Sequence, residues 1–205
     1  MSGAKRVAVY GGSFCPPHLG HLLAATYALG YGLDEVWVFP VYQHRFAKPL
    51  QADFATRLRW CAQTFAPLGP RVVIRDDERE LVRAGGTGAT IHLVQHLQQK
   101  HPDVRLRLLV GTDVLAERQR WLQWDELAQL APPLVLPRAG AAVDSGFVGE
   151  VLPLAVGDVS STLLRERLGQ RLPVHGWLAA AVADDPVLRA AFAAPADESQ
   201  LQDPP

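Results

Sequence analysis

The residues of this sequence with the clearest capacity for binding or catalysis are two histidines in a segment rich in glycine and proline. The segment reads Gly11-Gly12-Ser13-Phe14-Cys15-Pro16-Pro17-His18-Leu19-Gly20-His21. Apolar runs precede and follow it, which is the order of a strand, a tight loop and a helix. Because His18 and His21 are three residues apart, their side chains share one face of a first helical turn. A helix start also carries unpaired N–H groups and a partial positive charge, so the sequence predicts a polyphosphate site there.

The same segment has a second interpretation as a metal site. Cys15, His18 and His21 follow one another at three-residue steps. A structural zinc ion needs four ligands in a closed tetrahedral arrangement. The neighbouring sequence suggests no fourth ligand, so anion binding is the better interpretation of the two histidines.

A second segment with phosphate-binding chemistry lies towards the C-terminus. Three hydroxyl residues, Ser160, Ser161 and Thr162, stand in a row, and Arg165 follows one helical turn later. Serine and threonine are favoured at helix starts, so capping alone could explain the hydroxyls. A guanidinium beside hydroxyls and backbone N–H groups would also bind phosphate oxygens through its planar fork.

Asp113 and the neighbouring tryptophans each allow two interpretations. Asp113 follows Gly111 at the end of an apolar run. Its carboxylate could cap the next helix or accept hydrogen bonds from a ribose. Trp121 and Trp124 could both belong to the core, and this is the better interpretation of Trp124.

Apolar runs bounded by glycine, proline and charged residues predict the elements that position these side chains. The predicted strands are Lys5–Tyr10, Glu35–Pro40, Arg71–Ile74, Val104–Val110, Pro133–Leu136 and Glu150–Leu154. The predicted helices are His18–Tyr31, Asp53–Phe65 with Asp53 as N-cap, Thr90–Lys100, Val114–Leu130 with a break near Trp121, Ser161–Leu168, Trp177–Ala183 and Pro186–Ala193. The stretch Arg75–Gly88 is charged and then glycine-rich, which favours a mobile loop.

Strands alternate with helical patterns four times, which is typical of a right-handed, doubly wound parallel sheet. The predicted fold is therefore α/β and Rossmann-like, with a C-terminal helical segment. Ligands of such sheets bind beyond the carboxyl ends of the strands. Since the segments at Gly11 and Gly111 both follow strands, both fall on that edge. We expect a single domain over residues 1–194 and a disordered tail over residues 195–205.

Composition limits the classes of partner. The 205 residues carry a net charge of −1, with 48% hydrophobic and 20% charged residues. No bulk positive field therefore exists for nucleic acid or an anionic membrane. The apolar runs are shorter than a membrane span, and the start lacks a signal-peptide core. Two cysteines make no disulfide framework, which favours a cytoplasmic protein. Whether it forms a homo-oligomer stays open.

The two segments together resemble the signatures of a known enzyme family. Residues 12–21 match Gly-Ser-Phe-x-Pro-x-His-x-Gly-His, and residues 160–165 match Ser-Ser-Thr-x-x-Arg. This is the pattern of the nucleotidyltransferase superfamily with the HxGH motif. Gly111-Thr112-Asp113 and Trp121 make the sequence most similar to the nicotinate/nicotinamide mononucleotide adenylyltransferases. The resemblance implies adenylyl transfer from ATP to a pyridine mononucleotide, with release of pyrophosphate, in NAD biosynthesis.

The resemblance also implies a role for each candidate residue. The catalytic residues that hold the phosphates would be His18, His21, Arg165 and Lys48. The rest of the ATP site would be Gly11, Gly12, Ser13, Phe14, Gly111, Asp113, Ser160, Ser161 and Thr162. Thr90 and Trp121 would bind the acceptor, with Trp121 stacked on the pyridine ring. Mg²⁺ would bind through the substrate phosphates, without a dedicated protein site.

This chemistry needs no nucleophilic triad. The attacking phosphate oxygen is already anionic, so catalysis consists of aligning two anions and spreading the developing charge.

Departures from the family pattern leave part of the function open. Cys15 replaces an acidic or amide residue, Pro40–Leu50 lacks Pro-Pro-His-Lys, and Ala89-Thr90 replaces Tyr-Thr. The choice between nicotinate and nicotinamide mononucleotide is therefore open. The alternatives are transfer to another phosphorylated acceptor, such as phosphopantetheine, or a nucleotide sensor without turnover.

Overall fold

A six-stranded parallel sheet forms the centre of the computed structural model, which describes residues 4–43, 50–137, 149–153 and 159–192. The strands are β1 (Lys5–Gly12), β2 (Glu35–Pro40), β3 (Val72–Ile74), β4 (Val104–Gly111), β5 (Pro133–Leu136) and β6 (Glu150–Val151). Their order is β3-β2-β1-β4-β5-β6, and every pairing is parallel. The predicted doubly wound sheet is confirmed. The direction of winding reverses between β1 and β4, and a crevice opens there at the carboxyl edge of such a sheet.

Helices cover both faces of the sheet. They are α1 (Leu19–Gly30), α2 (Phe54–Phe65), α3 (Asp77–Arg83), α4 (Thr90–Lys100), α5 (Thr112–Ala116), α6 (Trp124–Leu130), α7 (Ser161–Gly169), α8 (Ala180–Ala183) and α9 (Pro186–Phe192). No helix among the described residues is long and apolar enough to cross a membrane.

Strand β1 shows why the central strands read as continuous apolar runs. Val7 and Val9 are fully buried in one cluster with α4, and Ala8 is fully buried in another with α1. A strand covered on both faces needs apolar side chains at every position. The face towards α1 is lined by small residues such as Ala24 and Ala28, which allow the helix to lie close.

Two regions differ from the sequence-based expectation. Arg75–Gly88 was expected to be a loop, but it contains helix α3, whose Asp77 is 5% exposed and bonded to Arg75. The charged and then glycine-rich composition favoured a mobile loop, whereas an ion pair allows Asp77 to be buried in a helix. The expected helix Val114–Leu130 is divided into α5, a 3₁₀ turn at Arg118–Arg120, and α6. Gln123, with a φ of 50°, stands at the break.

The predicted C-terminal helical segment is confirmed and packs near the first motif. Leu164 of α7, Val182 of α8 and Leu188 of α9 form a buried cluster with Cys15 and Trp60. The cluster therefore joins the end of the described chain to the loop that follows β1.

Candidate active site

A cleft of about 760 Å³ lies at the carboxyl ends of β1 and β4. Eight of the candidate residues line it: Gly11, Gly12, Ser13, His21, Thr90, Gly111, Asp113 and Trp121. The doubly wound order of the sheet explains this position, because the chain leaves β1 and β4 in opposite directions. The fold thus brings together residues that are about a hundred positions apart in the chain.

The two histidines stand at the start of α1, with His18 as the N-cap. Their ring centroids are 3.8 Å apart, and the backbone N–H of His18 donates to Nδ1 of His21 over 3.1 Å. An Nδ1 atom that accepts a hydrogen bond carries no proton, so the neutral ring of His21 has its proton on Nε2. His21 lines the main cleft, whereas His18 is 2% exposed and borders a smaller adjoining cavity. His21 can therefore donate an N–H to an anion in the cleft.

The start of α1 offers fewer backbone donors than the sequence suggests. The N–H of Leu19 donates to the carbonyl of Trp177 over 2.8 Å. The N–H groups of His21 and Leu22 donate to the carbonyl of His18, over 2.8 and 3.2 Å. Because these N–H groups already have acceptors, an anion at this helix start would be bound more by side chains than by the backbone.

Phe14 lies beneath the cleft and does not line it. It is 1% exposed, and its ring meets those of Tyr10 and His21 edge-on, with centroids 5.4 and 4.8 Å away. Its φ of 46° belongs to the left-handed region. The ring therefore supports the imidazole of His21 from below.

Arg57 of α2 holds the loop after β1 in place, a role that the sequence analysis missed. Arg57 is 1% exposed. Its guanidinium donates to the carbonyls of Ser13 (2.9 Å), Val41 (2.7 Å) and Ala52 (3.3 Å). A signal existed, since Arg57 is at helical spacing from the buried Trp60. A cation on the buried face of a helix must find polar partners there.

The hydroxyls of the second motif have different tasks. Oγ of Ser160 accepts from the N–H of Leu163 over 3.1 Å, so this side chain caps α7. Oγ of Ser161 donates to the carbonyl of Pro16 over 3.0 Å and so reaches the first motif.

Arg165 also connects the two motifs. One arm of its guanidinium donates to the carbonyl of Cys15 over 3.1 Å, and the other donates to Oγ1 of Thr162 over 2.9 Å. The fork is thus held beside the loop that carries the histidines, half-buried, with its direction fixed by two acceptors.

Gly20 is needed where the motifs meet. A Cβ atom at this position would lie 3.1 Å from the His18 ring and 3.3 Å from the carbonyl of Val159. A larger residue would require the His18 ring and the Val159 carbonyl to shift by a few tenths of an ångström.

Thr90, Trp121 and Glu78 also line the cleft. The Trp121 ring meets Trp124 edge-on at 5.8 Å, and Trp124 is not among the lining residues. Glu78 was not predicted from the sequence, because it lies in the stretch interpreted as a loop. Burial raises the pKa of its carboxyl to about 7, although the N–H groups of Tyr42 and Gln43 act in the opposite direction.

One cluster outside the cleft has metal-ligand chemistry but is otherwise engaged. Asp77, Glu80 and His96 bring ligand atoms within 4.8 Å of one another. Asp77 is bonded to Arg75 at 2.8 Å and to Lys100 at 3.2 Å. Burial acts to raise the pKa of Asp77, yet these two cations lower it to about 2. Two cations already neutralise the cluster, so we assign no metal to it.

Lys48, the remaining phosphate-binding candidate, lies outside the described residues.

Comparison with known proteins adds independent findings. The model of the cytidylyltransferase-like family matches residues 9–167, which include both motifs. A protein of Anaeromyxobacter sp. (strain K), named a probable nicotinate-nucleotide adenylyltransferase, is 40% identical over 177 residues, which are 86% of this chain and 90% of the relative. A protein of Myxococcus xanthus with the same name is 34% identical over 171 residues, which are 83% and 85% of the two chains.

A solved structure has the same architecture. It is the Plasmodium falciparum nicotinic acid mononucleotide adenylyltransferase complexed with NaAD, which superimposes with a TM-score of 0.71 over 91% of this chain and 94% of that one. The sequences are 16% identical, so this likeness concerns the fold alone.

Proposed function

The chain belongs to the cytidylyltransferase-like family, and we propose that it is an enzyme that transfers the adenylyl group of ATP to nicotinate mononucleotide in NAD biosynthesis. The observation that carries the proposal is the contact between the two motifs, the first of which contributes His21 to the cleft. Arg165 is held by the carbonyl of Cys15, three residues before His18, and His21 lines the cleft. The names of the relatives support the same activity.

The reaction in this proposal is a direct displacement. An anionic oxygen of the acceptor phosphate attacks the α-phosphorus of ATP, the bond to the bridging oxygen breaks, and pyrophosphate leaves with the electron pair. His21 donates its Nε2 proton in a hydrogen bond to the phosphates, and Arg165 binds the oxygens on which charge accumulates. No side chain has to remove a proton.

The two ends of the cleft have separate substrates in this proposal. We assign the ATP end to the glycine loop of β1, Gly111 and Asp113, which line the cleft. We assign the acceptor end to Thr90 and Trp121, two further lining residues, because an indole face suits a pyridine ring. The sheet edge between them brings the two phosphates into line.

A divalent ion accompanies ATP in this proposal, and we take it to be Mg²⁺. The described cleft contributes the carboxyl groups of Asp113 and Glu117. Mg²⁺ commonly binds through one or two carboxylates together with substrate phosphates. These residues therefore fit an ion that arrives with ATP, and such an ion would neutralise phosphate charge during transfer.

Pyrophosphate release with a panel of acceptors tests the proposal. The panel contains nicotinate mononucleotide, nicotinamide mononucleotide, phosphopantetheine and a no-acceptor control, each with ATP and Mg²⁺. We expect turnover with the pyridine mononucleotides and a dinucleotide product. Release with phosphopantetheine alone would overturn the acceptor, and ATP binding without release from any acceptor would indicate a sensor.

A further inference from the structure

Glu78 is a buried carboxyl group in the cleft wall that the proposed reaction does not use. It belongs to α3, is 6% exposed and lines the cleft. Carboxyl groups are rarely buried to this extent unless they are hydrogen-bonded or paired with a cation.

The contacts of Glu78 place it between two segments of that wall. Oε1 accepts from the N–H of Tyr42 over 3.0 Å, and the N–H of Gln43 donates to the same carboxyl group. A Cβ atom added to Gly88 would lie 3.5 Å from Oε1. The carboxyl group thus lies between the chain that leaves β2 and the chain that enters α4 at Thr90.

The charged groups near Glu78 come from helices α2, α3 and α4 and from the turn before α3. From α2 the guanidinium of Arg57 acts on it and lowers its pKa, whereas burial acts more strongly in the opposite direction. On α3 itself Asp77 is bonded to Arg75 and Lys100.

The other charged side chains that line the same cleft are Asp113, Glu117 and Arg120. Arg79, also on α3, is paired with Asp76. The chain that leaves β2 contributes the Tyr42 hydroxyl, and the ring of Tyr42 packs edge-on against Phe54 of α2. Residues 85–90 contain no titratable side chain. The resulting pKa of about 7 means that Glu78 changes its charge in the neutral range.

We propose that Glu78 is a specificity-determining residue of the acceptor site, where its carboxyl group distinguishes a pyridine ring that carries a carboxylate from one that carries a carboxamide. This inference rests on the proposed function, which puts the pyridine ring beside Thr90 and Trp121 on the same wall. Ionised Glu78 repels a nicotinate carboxylate and accepts an N–H from a nicotinamide carboxamide. Protonated Glu78 donates a hydrogen bond to the nicotinate carboxylate.

The selectivity of the enzyme should therefore depend on pH. The readout is the ratio of kcat/KM for nicotinate mononucleotide to kcat/KM for nicotinamide mononucleotide. Both acceptors carry the same phosphate and use the same ATP, Mg²⁺ and histidines, so those ionisations cancel in the ratio. We expect the ratio to fall about tenfold between about pH 6 and pH 8.5, since one pKa unit of interaction corresponds to a factor of ten.

A matched pair of variants assigns the effect to Glu78. Glu78→Gln keeps an oxygen acceptor for the N–H of Tyr42 but cannot ionise. Its ratio should not change with pH and should exceed the wild-type ratio about tenfold at about pH 8.5. Glu80→Gln, on the same helix, exposed and away from the cleft, should behave as wild type. An unchanged wild-type ratio across this range, or a Glu78→Gln ratio that still falls with pH, would overturn the inference.

A binding measurement on the wild-type protein keeps the inference testable if Glu78→Gln does not fold. Calorimetric titrations at about pH 7.5 in buffers of different ionisation enthalpy count the protons taken up on binding. Nicotinate mononucleotide should bind with uptake of a proton beyond that seen with nicotinamide mononucleotide, because its carboxylate favours protonated Glu78. Equal proton uptake would contradict the role of Glu78.

The failure of the inference and that of the proposed function are distinguishable. If neither mononucleotide binds or reacts, the proposed function is wrong. If both react and the ratio is the same at every pH, the function stands and Glu78 has no part in selectivity.

Discussion

At the scale of single residues, the site depends on side chains that combine a structural and a chemical task. His21 accepts the N–H of His18 with Nδ1, carries its proton on Nε2 and lines the cleft. Arg165 binds the carbonyl of Cys15 and lies beside the histidine loop. Substitutions that keep one task and remove the other can therefore separate folding from catalysis.

His21→Asn and His21→Gln make such a pair. The Oδ1 atom of the introduced asparagine can replace Nδ1 as acceptor for the His18 N–H, but this shorter side chain cannot reach the phosphates. We expect kcat to fall by about 10²–10³ with little change in Tm, as for the loss of one transition-state donor. The longer side chain of His21→Gln can bond the His18 N–H, as glutamine does at this position of a capping box, or reach the phosphates, so this variant should keep more activity than His21→Asn. Steady-state kinetics and thermal melts decide; near-wild-type turnover of His21→Asn would refute the assignment.

Arg165→Lys tests the planar fork of the second motif. Lysine keeps the charge but cannot bond both Thr162 and the carbonyl of Cys15 in the same geometry. We expect a KM for ATP raised about tenfold and slower transfer, with a Tm close to wild type. Arg189→Lys, an exposed arginine of α9, is the control. A protein that unfolds while its folded fraction still binds ATP normally would show that Arg165 is structural.

Residue type and spacing alone singled out the two motifs that the structure brings into contact. The two motifs were predictable because histidines, hydroxyls and an arginine next to predicted helix starts have a shared affinity for phosphate. Arg57 and Glu78 were not, because each is a charged residue whose burial depends on distant backbone groups. Spacing along one chain cannot reveal those partners.

At the scale of elements, the start of α1 is where several segments converge. The carbonyl of Trp177 caps the N–H of Leu19, and the carbonyl of Val159 lies against Gly20. The central strands could be predicted from the sequence because a strand that is buried on both faces is apolar throughout, and glycine and proline mark where it ends. Helix α3 was missed because the charges and glycines of its stretch favoured a loop, although Asp77 and Glu78 are buried.

Two alanine substitutions in α1 test this convergence. Gly20→Ala puts a methyl group 3.1 Å from the His18 ring and 3.3 Å from the carbonyl of Val159, so these neighbours must shift by a few tenths of an ångström. We expect kcat/KM to fall at least about tenfold together with a lower Tm. Gly30→Ala adds the same methyl group at the other end of the helix, where nothing among the described residues lies within 4 Å. It should preserve activity and raise stability by up to about 1 kcal/mol. Equal behaviour of the two variants in kinetics and melting would contradict the close fit at Gly20.

At the scale of the whole molecule, the C-terminal helices are fastened to the sheet domain through Asp185. Its carboxylate accepts from Arg59 Nη2 at 2.7 Å and from Trp60 Nε1 at 2.9 Å. Burial acts to raise the pKa of Asp185, but these bonds hold the pKa below its ordinary value. The ionised form is therefore the one that the folded state prefers.

Asp185→Asn should make the molecule less stable at neutral pH. A carboxyl group whose pKa is lower in the folded state stabilises it above the unfolded pKa, and that contribution is lost as the pH falls through the folded value. The difference in Tm between wild type and Asp185→Asn should thus be present at about pH 7 and shrink below about pH 4. Asp184→Asn, whose side chain is 65% exposed, is the control and should change Tm little. A difference that grows on acidification would contradict the sign.

The hydrogen bonds between the two motifs also determine at which stage of synthesis and folding the site can form. Arg165 and the Cys15 carbonyl are 150 positions apart, and Ser161 and the Pro16 carbonyl are 145 apart. Contacts between such distant positions form late in folding, because the chain between them must first be ordered. During synthesis the histidine loop leaves the ribosome early, whereas the second motif emerges only when most of the remaining chain has been made. A nascent or truncated chain that ends before α7 therefore cannot bring the two motifs together, so nucleotide turnover reports on completed synthesis.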